Sequence, residues 1–172
     1  ENYPSGDNPA AFRAVLSGTA LPVPKNTELS LGPTTYYFRN QFNFDGDPAK
    51  TTLRLLPLAD DGAVYYLNGV EVYRQNMPAG PITSSTLAAT NIPGEGTFAS
   101  IVSIPAANLI SGVNTLAVEV HQVNNTSSDI VMGLELTATL ATGAGEVVIH
   151  EVSANGASAT DWIELKNTTA QT

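Results

Sequence analysis

Polar and apolar residues alternate with a period of two along much of this chain. In residues 34–44, Tyr36, Phe38, Phe42 and Phe44 fall on one face, interrupted by Asn40, while Tyr37, Arg39, Gln41 and Asn43 fall on the other. Successive side chains of an extended strand point to opposite faces, so this segment predicts a strand with one core face and one face turned to water or ligand. Leu116, Val118 and Val120 alternate in the same way with Ala117, Glu119 and His121, and Ile130, Met132, Leu134 and Leu136 with Val131, Gly133, Glu135 and Thr137. Residues 63–67 and 70–74 are β-rich runs separated by Asn68-Gly69. That pair suits the two positive-φ positions of a type I′ turn and predicts a hairpin. Asp60-Asp61-Gly62 predicts a turn before it. Further strands are predicted at 12–18, 52–59, 98–104, 146–153 and 160–167, and one helical turn at 105–109. Short strands punctuated by Gly, Pro, Asn and Asp predict an all-β fold, an antiparallel β-sandwich or jelly roll.

Residues 75–97 break the pattern, with Pro78, Gly80, Pro81, Pro93, Gly94 and Gly96 among small polar residues. A stretch of that length is either a functional loop or an ordered structural excursion. Residues 141–145, Ala-Thr-Gly-Ala-Gly, read as a linker. The expected organisation is a sandwich over residues 1–141, then a linker and terminal hairpin over 142–172.

Composition narrows the classes. The 172 residues suffice for a sizeable core, and the hydrophobic share of 42% against 13% charged excludes a disordered acidic tail. Seven basic residues against sixteen acidic ones, a formal charge of −9, argue against nucleic acid as a partner. The absence of cysteine excludes a disulfide scaffold, a thiolate zinc site and a cysteine nucleophile. No apolar run approaches the roughly 20 residues of a spanning helix, so membrane insertion is not expected. Glu1 opens no signal peptide, and any export signal is expected upstream or already removed.

Two kinds of chemistry remain open. Sugar binding needs an aromatic face for stacking and planar hydrogen-bonding groups around it. Tyr37, Arg39, Gln41 and Asn43 stand in a row, and Glu119, His121 and Glu135 share their face if these strands lie in one sheet. The alternative is a solvated face on which Arg39 balances Glu119. Adjacent carboxylates in a turn supply oxygen ligands for a hard cation, so Asp60 and Asp61 are candidate calcium ligands, as are Asp45 and Asp47 around Gly46. The alternative is ordinary turn capping by Asp side chains. Of Tyr65 and Tyr66, adjacent in a strand, one is expected in the core and one outside. The histidines, His121 and His150, are too few for a zinc site. Glu119 with Glu135 is the conceivable acid pair for glycoside hydrolysis, but no local motif supports catalysis.

The run DDGAVYYLNGVEVYR at residues 60–74, NMPAG at 76–80, LISGVNTLAVEVHQ at 109–122 and Ser127-Ser128-Asp129 together resemble galactose-binding-domain-like jelly rolls of secreted bacterial hydrolases and surface proteins. The resemblance spans residues 34–140 and implies a sugar-binding accessory module. The Asp60-Asp61 pair also resembles that of calcium-dependent protective-antigen-like lectin domains, which implies calcium as the cofactor of a sugar site. VVIHEVS at 147–153 with DWIELKN at 161–167 resembles the opening of a bacterial lamin-tail domain, which implies that the chain belongs to a larger secreted polypeptide. Two strands do not make an independent core, so either the chain is a piece of a longer protein or this hairpin is expected to pack onto the first domain.

These readings give the expected function: a non-catalytic carbohydrate-binding module, secreted or at the cell surface. Its expected partners are a polysaccharide or glycan and the neighbouring domains of a larger chain. A structural or adhesive sandwich for extracellular assembly is the competing reading. Calcium-dependent glycan binding separates the two.

Overall fold

The computed structural model describes residues 29–93, 96 and 98–141 with their side chains, and the backbone of residues 13–15, 147–153 and 162–167. In chain order the strands are β1 (Arg13–Val15), β2 (Thr35–Phe44), β3 (Thr51–Asp60), β4 (Gly62–Leu67), β5 (Val70–Gln75), β6 (Val102–Ile104), β7 (Gly112–His121), β8 (Val131–Leu140), β9 (Val147–Ser153) and β10 (Trp162–Asn167). The chain divides into two units, Glu1–Thr139 and Leu140–Thr172. In the second, β9 and β10 pair antiparallel with an irregularity at Glu164/Leu165. The side chains of His150 and Trp162, and most of the expected linker at 142–145, lie outside the described residues.

The first unit is an antiparallel β-sandwich. One sheet has the order β1-β8-β3-β6 and the other β2-β7-β4-β5. Leu53, Leu55, Ile104, Ile130, Met132 and Leu134 from the first meet Tyr36, Ala63, Tyr65, Leu67, Leu116, Val118 and Val120 from the second in one buried cluster. The inward residues are those the alternation selects. Full burial of such a side chain contributes roughly 1.5–3 kcal/mol, so this layer supplies most of the driving force for closing the two sheets. Tyr36 reaches the edge of the core, and its hydroxyl donates to the Ser30 carbonyl at 2.9 Å.

Asn68 (φ 51°) and Gly69 (φ 83°) both have the positive φ that the hairpin turn requires. The Asn68 amide does more than turn the chain. Its Oδ1 accepts from the Thr115 N–H at 2.7 Å, and its Nδ2 donates to Asn108 O at 2.7 Å and to Asn114 Oδ1 at 2.8 Å. Asn114 is fully buried; its Oδ1 also accepts from Ile110 N–H, and its Nδ2 donates to Ile110 O and Gly112 O. The Asn-Gly and Gly-x-Asn segments, far apart in sequence, thus form one closed polar network at one end of the second sheet.

Several elements depart from expectation. Asp60-Asp61-Gly62 does not turn one strand back on its sheet neighbour: it carries the chain across from β3 in the first sheet to β4 in the second. Of residues 98–104 only Val102–Ile104 pairs with β3. The preceding residues lie over the outer face of the first sheet, where Phe98 packs against Leu58 and Val131 and Ala99 N–H bonds Pro57 O at 2.9 Å. Residues 105–109 make a single turn closed by Leu109 N–H to Ala106 O. A 3-10 turn at Pro48–Lys50, absent from the sequence reading, starts with Asp47 as its cap and Pro48 at its first position.

Candidate functional site

β7 runs through the middle of the second sheet, with β2 on one side and β4 on the other. The register makes rows across its outer face. Tyr37 lies opposite Glu119 and Glu119 opposite Val64; Arg39 opposite Ala117 and Ala117 opposite Tyr66; Gln41 opposite Thr115. Cross-strand partners share a face, and strands stand about 4.8 Å apart, so Arg39 and Tyr66 rise about 10 Å from each other over the short side chain of Ala117. The small residues of β7 are the floor of a trough and the longer ones on β2 and β4 are its walls. Two open hollows result. One of about 430 Å³ is lined by Tyr37, Arg39, Tyr66, Ala117 and Glu119, and one of about 440 Å³ by Arg39, Asn40, Gln41 and Thr115. Arg39 stands where they meet.

Tyr37 is 64% exposed, an unusual position for an aromatic ring on a sheet face and the geometry a stacking platform needs. Tyr65 and Tyr66 divide as expected. Tyr65 is fully buried against Tyr73, with ring centroids 5.6 Å apart, while half-buried Tyr66 faces the trough. Its hydroxyl donates to Glu119 Oε1. Burial first, then the hydrogen bond to Glu119 and the negative charges of Glu119 and Glu71, raise the Tyr66 phenol above its ordinary value, with Arg74 opposing weakly. The phenol is therefore a proton donor across the neutral pH range, and it fixes the Glu119 carboxylate in one orientation.

Glu119 and His121 are not the open polar face that alternation suggests. Glu119 is 9% exposed and His121 not at all. Residues 76–90 fold over this end of the outer face. The His121 Nδ1 lies 2.7 Å from Thr86 O and 2.9 Å from Thr35 Oγ1, whose hydroxyl donates to Ser84 O. A carbonyl oxygen only accepts, so Nδ1 carries the ring proton. Nε2 points at Glu119 Oε2 from 3.6 Å. His121 therefore anchors the covering loop without reaching solvent, and its Nε2 makes no hydrogen bond among the described residues. Gly62 explains the close fit of that loop: a Cβ there would lie 2.7 Å from Asn76 O and 2.6 Å from Met77 Sδ. Glu135 sits exposed on β8 of the opposite sheet, so it shares no face with Glu119 and the two do not form an acid pair. Arg39 lies across from Ala117 rather than Glu119, and the balancing pair considered from sequence is absent among the described residues.

The four aspartates are engaged by their surroundings. Asp61, 1% exposed, accepts Ile92 N–H at Oδ1 (3.0 Å) and Val123 N–H at Oδ2 (2.7 Å), tying two loops to the sheet crossover. Asp60 is also buried, under Gly96. Asp47 caps the 3-10 turn through Ala49 N–H at 3.0 Å and lies 3.8 Å from Lys50 Nζ, and Asp45 accepts from Asn43 Nδ2. Turn and loop ordering accounts for the contacts of Asp45, Asp47 and Asp61 without a cation. Among the described residues no three carboxylate or imidazole side chains gather as a metal site.

The trough depends on Tyr66, Ala117 and Thr115, which sequence reasoning did not select. Two of them carry no distinctive chemistry, and only the register reveals that they lie between Arg39 and β4. A third hollow, polar and of about 390 Å³, lies apart from the trough between Asn91-Ile92 and the loop of Asn124, Thr126, Ser127, Ser128 and Asp129. No protein-family model matches the chain, and no curated protein sequence matches it. Among the described residues, no helix is long and apolar enough to cross a membrane.

Proposed function

We propose that this chain is a non-catalytic carbohydrate-binding module whose ligand lies along the outer face of the β2-β7-β4 sheet. The observation that carries this reading is the exposed Tyr37 ring beside Arg39 and the Tyr66–Glu119 pair, over a floor of Ala117 and Thr115. An aromatic ring stacks on the apolar face of a pyranose, and fixed planar groups at its edge read the hydroxyls. Arg39 and Gln41 supply donors, and Glu119, held by Tyr66, supplies an acceptor. The galactose-binding-domain-like resemblance supports this class, and with it a secreted or cell-surface module of a larger bacterial polypeptide, with neighbouring domains as covalent partners.

A glycan array on the purified chain, with calcium and with chelator, tests the reading. Binding that Tyr37→Ala abolishes, with an unchanged melting temperature, is the expected result. Binding that survives Tyr37→Ala but is lost in Asn124→Ala moves the site to the hollow lined by Asn91 and Asn124. No binding under either condition leaves the structural or adhesive module as the better reading.

A further inference from the structure

The cations of this chain are few: of the four Lys and Arg side chains described, Arg74 and Lys50 are in ion pairs, and Arg39 and Arg54 are not. Arg74, on β5 of the same sheet, is gripped by both oxygens of Glu71 at 2.9 and 2.8 Å and donates to Pro78 O and Gly80 O as well. Lys50 stands near Asp47. The Lys and Arg ion pairs among the described residues use Lys50 and Arg74, and Arg39 is in neither of them. Yet Arg39 is exposed, stands at the centre of the trough and lines both of its hollows. The carboxylate in the trough, Glu119, is buried and accepts from the Tyr66 hydroxyl.

A protein of formal charge −9 has abundant acid with which to neutralise an exposed guanidinium, so an unpaired one in a preformed groove is complementary to an external anion. The flat fork of Arg presents parallel N–H donors that match a carboxylate or sulfate in plane, and the Gln41 amide, two residues on, adds a neutral donor on the same face. Tyr37, two residues before, is about 7 Å along the strand from Arg39, a spacing that lets one saccharide ring stack while the anionic group it or its neighbour carries reaches Arg39. Resting on the carbohydrate-binding reading above, we propose that the ligand is an acidic saccharide, bearing a carboxylate or sulfate ester that pairs with Arg39. The net negative charge of the chain opposes polyanions in general.

Calorimetric titration of the full chain decides the matter with four probes: a uronate oligosaccharide, the same oligomer with its carboxylates reduced to alcohols, a sulfated oligosaccharide and a neutral hexose oligomer. The expected result is at least tenfold tighter binding of the uronate or the sulfated oligomer than of the uncharged ones, weakening as NaCl rises. Whichever anionic probe binds identifies the group. Arg39→Gln abolishes that preference and flattens the salt dependence, whereas Tyr37→Ala weakens charged and reduced oligomers alike. Equal binding of the charged and reduced oligomers, or a preference that survives in Arg39→Gln, overturns the assignment to acidic saccharides and leaves the carbohydrate module standing. Failure of all four probes overturns both. Arg39 is exposed and makes no ion pair among the described residues, so the substitution leaves the melting temperature unchanged and the binding readout interpretable.

Discussion

Replacing Asp61 with Asn exchanges one oxygen for an NH₂ group and changes shape very little. In the native chain each carboxylate oxygen accepts one backbone N–H, from Ile92 at 3.0 Å and from Val123 at 2.7 Å, in a site 1% exposed. An amide accepts only one of these; the other N–H is left facing a donor. Losing a charge-assisted bond costs roughly 1.5–3 kcal/mol, and neutralising the remaining acceptor about 1 kcal/mol more. Removing a buried charge offsets part of this, so the expected net loss is about 2–4 kcal/mol. For a unit the size of Glu1–Thr139, that lowers the melting temperature by on the order of 10 °C. Thermal unfolding followed by circular dichroism, with and without chelator, is the assay. Native and Asp61→Asn chains are expected to keep the same separation in both buffers, and amide exchange at Ile92 or Val123 is expected to accelerate in the variant. A variant melting within about 2 °C of the native chain refutes the loop-tie account. A native melt that falls on chelation, with Asp61→Asn indifferent, places a cation there instead.

Other substitutions probe the remaining physics. Asn114→Ala removes the partner of Ile110 N–H, Ile110 O, Gly112 O and Asn68 Nδ2 together, and is expected to cost about 3–5 kcal/mol in a urea melt, against less than about 0.5 kcal/mol for Tyr37→Ala at the surface. Leu55→Ala, in the fully buried centre of the core, is expected to cost about 2–5 kcal/mol by the same assay. Burial raises the phenols of both Tyr65 and Tyr66, so the folded chain holds those protons more tightly than the unfolded one. Their stabilisation is complete below the ordinary phenol value of about 10 and is lost as pH climbs past it, so the melting temperature should stay level to about pH 9 and then fall. Absorbance of phenolate, followed against the melt, should show these two rings ionising only with unfolding. The Glu71 carboxyl, held below its ordinary range chiefly by its hydrogen bonds to Arg74, contributes in the opposite sense: its share is present above the ordinary carboxylate value and is lost as pH falls below it.

Much of the fold was legible because it is local. The period-two runs identified β2, β7 and β8, and the Asn-Gly pair marked the hairpin, since positive φ at two successive positions is a property of those residues alone. The candidate site was half legible. Tyr37, Arg39 and Gln41 emerged from alternation within one strand, and the structure leaves all three exposed. His121 did not follow, because the alternation that puts it on the outer face cannot reveal that residues 76–90 return to cover it. Val131 fails for the same reason on the other sheet, where Phe98 covers what pattern alone would leave wet.

By itself the sequence determined most of the strands, their inward faces, the Asn68-Gly69 turn and the poverty of basic charge, each set by neighbours within a few residues. Tertiary structure alone decided that Asp60-Asp61 crosses between sheets, that Glu135 stands apart from Glu119, that Ala117 lies between Arg39 and Tyr66, and that Arg39 makes no ion pair among the described residues. Those outcomes depend on which strands pair and in what register. Pairing joins residues such as Arg39 and Ala117 that are far apart along the chain, so their meeting reflects the packing of the whole sandwich and has no local signature.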